Sequence, residues 1–444
     1  MKIMNTVVFA LILGASMASR LEAQAQVSLN IPSESTYESG KSLCQKTYAS
    51  LIAHEKGFYV RVPVDYSRPE RGMTEVYSYF HRGFDPSKET LIYFTGGPGQ
   101  TSHWGLFRNP VPYNVLIMEH RGVGCSRPDT RSMFLDPSYY SSENVARDAE
   151  VVRQHLMINQ WTVYGISYGT VPATMYASLF PQNTRAAILE GVVYDGGLLL
   201  WDAPHRRKLL QRMLNSLSPS LMARLESVSA VHGIPDTWLS RQARTQLMYN
   251  DGVKKLKKRL ELLTDDKVFK DFLTEVRKSY EPITYTPHIL FASNDIAYMM
   301  ISCQELGMAN PEVSIEDSFI KGQLVRKVDT ESLKQCARLR AKGDKIYRAE
   351  NYPVKVPVTY FQGSDDGATA APEGVRHYKN VPVGFKQLAI LVRGGHNPNL
   401  ELILYENPQQ LQIFDYAMKG LPIPKTLYSE MKKASGHFWA YTSN

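Results

Sequence analysis

Short apolar or alternating runs, each bounded by turn residues, recur along the chain at 58–64, 75–80, 91–94, 115–118, 161–164, 186–190, 358–362 and 386–391. Runs of this length read as strands, and the unbroken apolar ones as strands covered on both faces. Between several of them lie helical stretches, as at 143–159 and 167–180. Strands alternating with helices predict an α/β domain, a mostly parallel sheet with helices on both faces. The alternation stops after about Asp195 and resumes near Val354. The residues between look helical: Val253, Leu256, Leu260 and Leu263 fall on one face of a helix. The basic run from Lys254 to Arg259 on that helix reads as its solvated face. The order therefore predicts an α/β domain in two parts, 26–195 and 354–444, interrupted by a large helical insertion at 196–353. Such an insertion sits over the C-terminal edge of the sheet, where open α/β folds keep their sites.

Composition narrows the class. With 444 residues, 43% hydrophobic and 21% charged, the chain can build a sizeable core, and disorder, collagen and coiled coil are excluded. A net charge of +8 is mild for this length. Beyond that one short run it gathers into no basic stripe, so no nucleic-acid partner is expected. At the N-terminus, Lys2 precedes an apolar stretch at 7–13 and the run Ala23-Gln24-Ala25. That pattern predicts a secretory signal peptide over 1–25 and an exported protein, periplasmic or secreted, with no stable membrane insertion after cleavage. Export favours pairing of the four cysteines. Three connectivities are open; we expect Cys303–Cys336 and Cys44–Cys125, because each pair falls within one region. Their spacing has no C-x-x-C and no close His, so no metal site is expected.

The chemistry centres on Gly165-Ile166-Ser167-Tyr168-Gly169, which follows the run 161–164 and opens a helical stretch. A serine on a sharp strand-to-helix turn is lifted clear of the backbone, and glycines on either side let strand and helix approach. A nucleophilic serine needs a base, and the base an orienting carboxylate, in the chain order Ser, acid, His. The run 358–362 leads into Gly363-Ser364-Asp365-Asp366-Gly367, and the run ending at 391 leads into Gly394-Gly395-His396. His396 is the candidate base; Asp365 and Asp366 both fit as the acid. An oxyanion needs two backbone N–H donors. Tyr168 supplies one by following the serine, and Gly97 in Thr95-Gly96-Gly97-Pro98-Gly99, after the run 91–94, is the candidate for the other.

Gly96-Gly97-Pro98-Gly99, then Glu119-His120-Arg121-Gly122-Val123-Gly124-Cys125-Ser126, then Gly165-Ile166-Ser167-Tyr168-Gly169 resemble the motifs of the proline-iminopeptidase-like α/β-hydrolases. The chain looks most like their secreted tripeptidyl-aminopeptidase branch. Tyr168, the run Ile301-Ser302-Cys303-Gln304-Glu305 and Val62-Pro63-Val64-Asp65-Tyr66 carry that likeness, which covers about residues 44 to 420. The family places its acid as G-x-x-D with a following Thr; Gly363, Asp366 and Thr369 match, which selects Asp366. Two departures stand out. Thr95 replaces the usual His, and Glu119 replaces the usual Asp, keeping a carboxylate that could pair with Arg121.

The resemblance implies an α/β-hydrolase fold with a helical cap, and an exported serine exopeptidase acting on peptides with a free N-terminus. Ser167, His396 and Asp366 would form the triad and Gly97 and Tyr168 the oxyanion hole, with no metal or cofactor. A substrate α-ammonium in a closed pocket demands a paired charge; Glu305 is the first candidate and Asp195 the second. A serine carboxylesterase using the same triad is the competing expectation, and a noncatalytic binding protein on the same scaffold the more distant one.

Overall fold

The computed structural model describes residues 31–38, 57–101, 111–197, 200–201, 204–281, 295–382, 384–404, 407–436 and 438–443. The segment 1–25 read as a signal peptide lies outside the described residues, as does Cys44.

One sheet runs through the molecule. In spatial order it comprises β1 (Phe58–Pro63), β2 (Met73–His81), β4 (Asn114–Met118), β3 (Thr90–Phe94), β5 (Trp161–Ile166), β6 (Thr184–Glu190), β9 (Val358–Gly363), β10 (Lys386–Leu391) and β11 (Trp439–Ser443). From β4 to β10 every neighbouring pair is parallel. The edges, β1 with β2 and β10 with β11, are antiparallel. All residues of β3, β4 and β5 are buried, which is why those runs carry no polar alternation. Side chains still alternate between the two faces. Ile92, Phe94, Trp161 and Val163 pack with Val145, Ala149 and Val171 of the helices Ser142–His155 and Thr170–Leu179. Leu91, Tyr93, Tyr164 and Ile166 pack with Ile413, Phe414 and Ala417 of the helix Pro408–Met418. Each such side chain contributes about 1.5–3 kcal/mol on burial. β11 has no counterpart in the sequence reading: the five residues WAYTS offer only one buried position, Trp439.

From β3 the chain steps to β4 on one side, and β5 then lies on the other. The C-terminal ends of β3 and β5 thus flank the point where the winding reverses, which is where such sheets open a crevice. Gly96 and Ser167 follow those two ends.

Between β6 and β9 the chain is helical for much of its course, with one correction. Residues Ile315–Ile320 (β7) and Gln323–Val328 (β8) form an antiparallel hairpin. Its two turn residues, Lys321 at φ 46° and Gly322 at φ 77°, have the positive dihedrals that tight hairpins require. The region also divides between two cores. Leu210, Leu225, Trp238, Leu256, Leu260, Phe272 and the hairpin's Phe319 and Leu324 pack with one another. Ile296, Met300, Cys303, Cys336 and Leu339 instead join the core on the face of the main sheet. On the helix Gly252–Glu261, Leu256 and Leu260 are buried while Lys254, Lys255 and Lys258 face solvent. Cys303 and Cys336 form a disulfide, Cα atoms 5.6 Å apart, joining the helices Asp295–Gln304 and Thr330–Arg338. Cys125 is disulfide-bonded as well. None of the described helices is long and apolar enough to cross a membrane.

Candidate active site

Ser167 stands between β5 and the helix Thr170–Leu179, at the first residue of a short helical turn. Its φ of 57° is left-handed, a strained conformation for a residue with a side chain. The two glycines of the motif explain themselves by contact. A Cβ on Gly165 would stand 2.3 Å from the carbonyl oxygen of Gly169, and one on Gly169 would stand 2.1 Å from that of Phe94. The Thr170 hydroxyl donates to the Ser167 carbonyl at 2.6 Å and accepts from the Val193 N–H at 3.0 Å, tying the turn to the segment after β6.

Asp366 and His396 come together. They follow the adjacent strands β9 and β10, and the two loops touch so closely that a Cβ on Gly363 would overlap the Gly395 carbonyl at 1.9 Å. The His396 Nδ1 lies 2.9 Å from Oδ2 and 3.0 Å from Oδ1 of Asp366. Both residues are buried. Asp366 also accepts from the N–H groups of Ala368 (2.7 Å) and Thr369 (3.0 Å) and from the Thr369 hydroxyl (3.0 Å). A carboxylate held by that many donors is fixed in place. Asp365 points elsewhere and accepts from the Ser364 hydroxyl at 2.9 Å. Residues between β6 and β9 steady the histidine loop: the His396 N–H donates to the Met248 carbonyl and the Gly395 N–H to Asn250 Oδ1.

The glycine loop after β3 lies against the serine, since a Cβ on Gly96 would be 3.1 Å from that of Ser167. Gly97 has φ 110°, open only to glycine. Behind Tyr168 is a cavity of about 10 Å³ bordered by Pro98, Gly99, His120, Ala297 and Ile301. Burial alone pushes the His120 imidazole down to about 3, so it is neutral there. Arg121 meets Asp148 on the helix Ser142–His155, at 2.5 and 2.6 Å, and the carbonyls of Val64 and Pro63. The sequence suggests Glu119 as its partner; the carboxylate that pairs with it lies 27 positions further on.

Residues 89–224 match the family described as alpha/beta hydrolase fold. The chain is built on the alpha/beta hydrolase fold. Over part of its length this hydrolase-fold chain is similar to a probable proline iminopeptidase of Streptomyces coelicolor, 30% identical over 129 residues, 28% of this chain and 40% of that protein. It is also similar to a proline iminopeptidase of Aeromonas sobria, 27% identical over 162 residues, 32% of this chain and 38% of that one. The matches thus span about two fifths of the relatives' own length. A proline iminopeptidase-related protein of Thermus thermophilus, of known structure, aligns with a TM-score of 0.41 and 13% identity, covering 82% of this chain and 98% of that one.

Two acids were expected near a substrate amino group. Glu305 follows the helix Asp295–Gln304 and is 4% exposed. Both its oxygens accept from the Ser142 N–H, at 3.0 and 3.2 Å, and Oε2 also from the Ser142 hydroxyl. That hydroxyl lies 2.8 Å from the Tyr168 hydroxyl. Burial, against the pull of Ser142, raises the Glu305 carboxyl to about 7. Among the described residues it makes no ion pair. Asp195 is differently occupied, bridging Arg348 at 3.1 Å and Arg376 at 3.3 Å. Ser142 and Asn250 escape a sequence reading, because neither sits in a motif and each reaches its partner across more than a hundred residues.

Proposed function

We propose that this hydrolase is a serine exopeptidase that releases residues from the free N-terminus of peptides. The observation that carries the reading is the buried His396–Asp366 pair at 2.9 Å, past the C-terminal ends of β9 and β10 in the same parallel sheet whose β5 ends at a serine held left-handed. His396 takes the proton of Ser167 as the hydroxyl attacks the scissile carbonyl, and Asp366 holds the ring and stabilises its charged form. The N–H groups of Gly97 and Tyr168 receive the oxyanion. His396 then protonates the leaving amine, and water releases the acyl group by the reverse path.

Glu305 is the acid we assign to the substrate's α-ammonium. A buried carboxylate that makes no ion pair among the described residues favours an incoming cation, and hydrogen bonds link it through Ser142 to the hydroxyl of Tyr168, the residue after Ser167. Asp195 already has two guanidinium partners and is left out of this role. Export accords with the Cys303–Cys336 disulfide, a bond that persists in oxidising compartments.

The test is mass spectrometry of an unblocked peptide and its N-acetylated twin after incubation with the protein and with Ser167→Ala. N-terminal fragments from the unblocked peptide alone, absent with the variant, are expected. Cleavage of neither, with Ser167-dependent hydrolysis of a small activated ester, would replace the peptidase reading by a carboxylesterase.

A further inference from the structure

Among the buried carboxylates that the mechanism above leaves unused, Glu190 is bonded to the segment just beyond His396. Glu190 ends β6 and is fully buried. In the sheet it stands opposite Ile166, which precedes Ser167, on one side and Phe361 of β9 on the other. Its Oε1 accepts from the backbone N–H groups of Asn399 (2.7 Å) and Leu400 (3.1 Å). Its Oε2 accepts from the Tyr164 hydroxyl (2.5 Å) and Asn399 Nδ2 (3.2 Å). Among the described residues no cation pairs with it; these four hydrogen bonds hold the carboxyl in place.

The gripped N–H groups lie three and four residues beyond His396. The next residue after β6, Gly191, has φ 59° and lies under the histidine. A Cβ there would stand 2.8 Å from the His396 carbonyl and 3.0 and 3.1 Å from its ring atoms Cε1 and Nδ1. Asp366 fixes one ring nitrogen, while Glu190 and Gly191 fix the backbone that carries the ring. A chain that needed only to close a helical turn could do so with a local Asn, Ser or Thr. A buried acid reaching across 209 residues carries a desolvation cost that such a cap avoids.

We infer that Glu190 is a positioning residue for the catalytic base, holding the His396 loop in register with Ser167; this rests on the serine-hydrolase reading above. Asn399 passes the restraint on, since its Oδ1 accepts from Gln410 Nε2 and Gln410 Oε1 accepts from the Trp439 indole on the edge strand β11.

The test compares Glu190→Ala and Glu190→Gln on a small activated ester and on an unblocked peptide, with Ser167→Ala as control. Glu190→Ala is expected to lower kcat about 10- to 100-fold, the usual effect of an ångström-scale misplacement, with KM changed less than about twofold. Glu190→Gln keeps an acceptor for both backbone N–H groups and should recover kcat to within about fivefold. Should Glu190→Ala fail to fold, Gly191→Ala displaces the same loop from below and should show the same split between kcat and KM. An unchanged kcat with a lowered melting temperature, or equal losses in the Ala and Gln variants, overturns the proposal. Full ester turnover by Ser167→Ala overturns instead the reading on which it rests, and the ester keeps the test readable if peptides are not cut.

Discussion

The strand-end loops and the end of the helix Asp295–Gln304 treat their buried acids in opposite ways. At the sheet edge, Asp366 is met by two backbone N–H groups, a hydroxyl and an imidazole, and Glu190 by four donors from three residues. Glu305, by contrast, receives donors from Ser142 alone. Satisfied acids are fixed parts of the scaffold. An under-satisfied one keeps a preference for an incoming positive charge. On the function proposed above this is a division of labour: the strand-end loops hold the base and its acid, and Glu305 would supply the charge that recognises the amino end of a peptide.

The largest expected effect lies at the sheet edge. Asp366→Asn keeps the shape but lets the wrong imidazole nitrogen carry the proton. It should lower kcat about 10⁴-fold for peptide and ester alike, with little change in KM. Stopped assays on both substrates check this. A loss confined to the peptide would break the contrast, because Asp366 would then be serving recognition.

Glu305→Gln should act the other way. For an unblocked peptide, kcat/KM is expected to fall about 100-fold, in the range for truncating one partner of a buried charge pair, while ester turnover stays within about threefold. Since burial raises this carboxyl to about 7, capture of the amino group should weaken as pH falls through that value. A pH series of KM for peptide and ester in parallel reads it directly. An equal loss on both substrates would assign Glu305 to the oxyanion side through Ser142 and Tyr168.

Both raised acids also bear on stability. Burial lifts Glu190 and Glu305 from an ordinary 4.5 to about 7. Between those values the unfolded chain has lost the proton and the folded chain keeps it, so their contribution to stability is greatest below 4.5 and declines as pH rises to 7. The linkage is worth up to about 3 kcal/mol per group. His120 and His377, which burial pushes down to about 3, pull the other way, so the readout is a difference: between pH 5 and 7.5 the urea midpoint of the parent should fall relative to that of Glu305→Gln by one group's share. An equal change in parent and variant would mean that Glu305 is not held protonated by the fold.

The same contrast explains what could be read in the sequence. Ser167, Asp366 and His396 are legible because each follows an apolar run, in the chain order that the fold imposes, with glycines where the turns crowd. The main strands are legible from the same runs. The hairpin Ile315–Val328 is not: its turn is Lys321-Gly322 rather than a marked Asn-Gly or Asp-Gly, and most of β8 is exposed. Glu190 reads only as the last residue of a strand, and nothing near it announces Asn399. Arg121 invites pairing with its neighbour Glu119, yet a helix packed against the loop brings Asp148 within reach. Local pattern reports where the chain turns; it does not report which distant donors fill a buried oxygen.

Asp195 offers the smallest effect and the sharpest check on the assignment to Glu305. Its partners Arg348 and Arg376 are 53% and 38% exposed, and pairs with such solvent access contribute about 1 kcal/mol or less. Asp195→Asn should therefore lower the melting temperature only slightly and leave the preference for unblocked over acetylated peptide within about twofold of the parent. The arginines explain why: an ammonium brought to Asp195 would meet two guanidinium groups already in place, and their repulsion offsets what the carboxylate could contribute. A collapse of that preference in Asp195→Asn, with Glu305→Gln unaffected, would reverse the two acids' roles and move amino-group recognition from the neighbourhood of Tyr168 to the segment after β6.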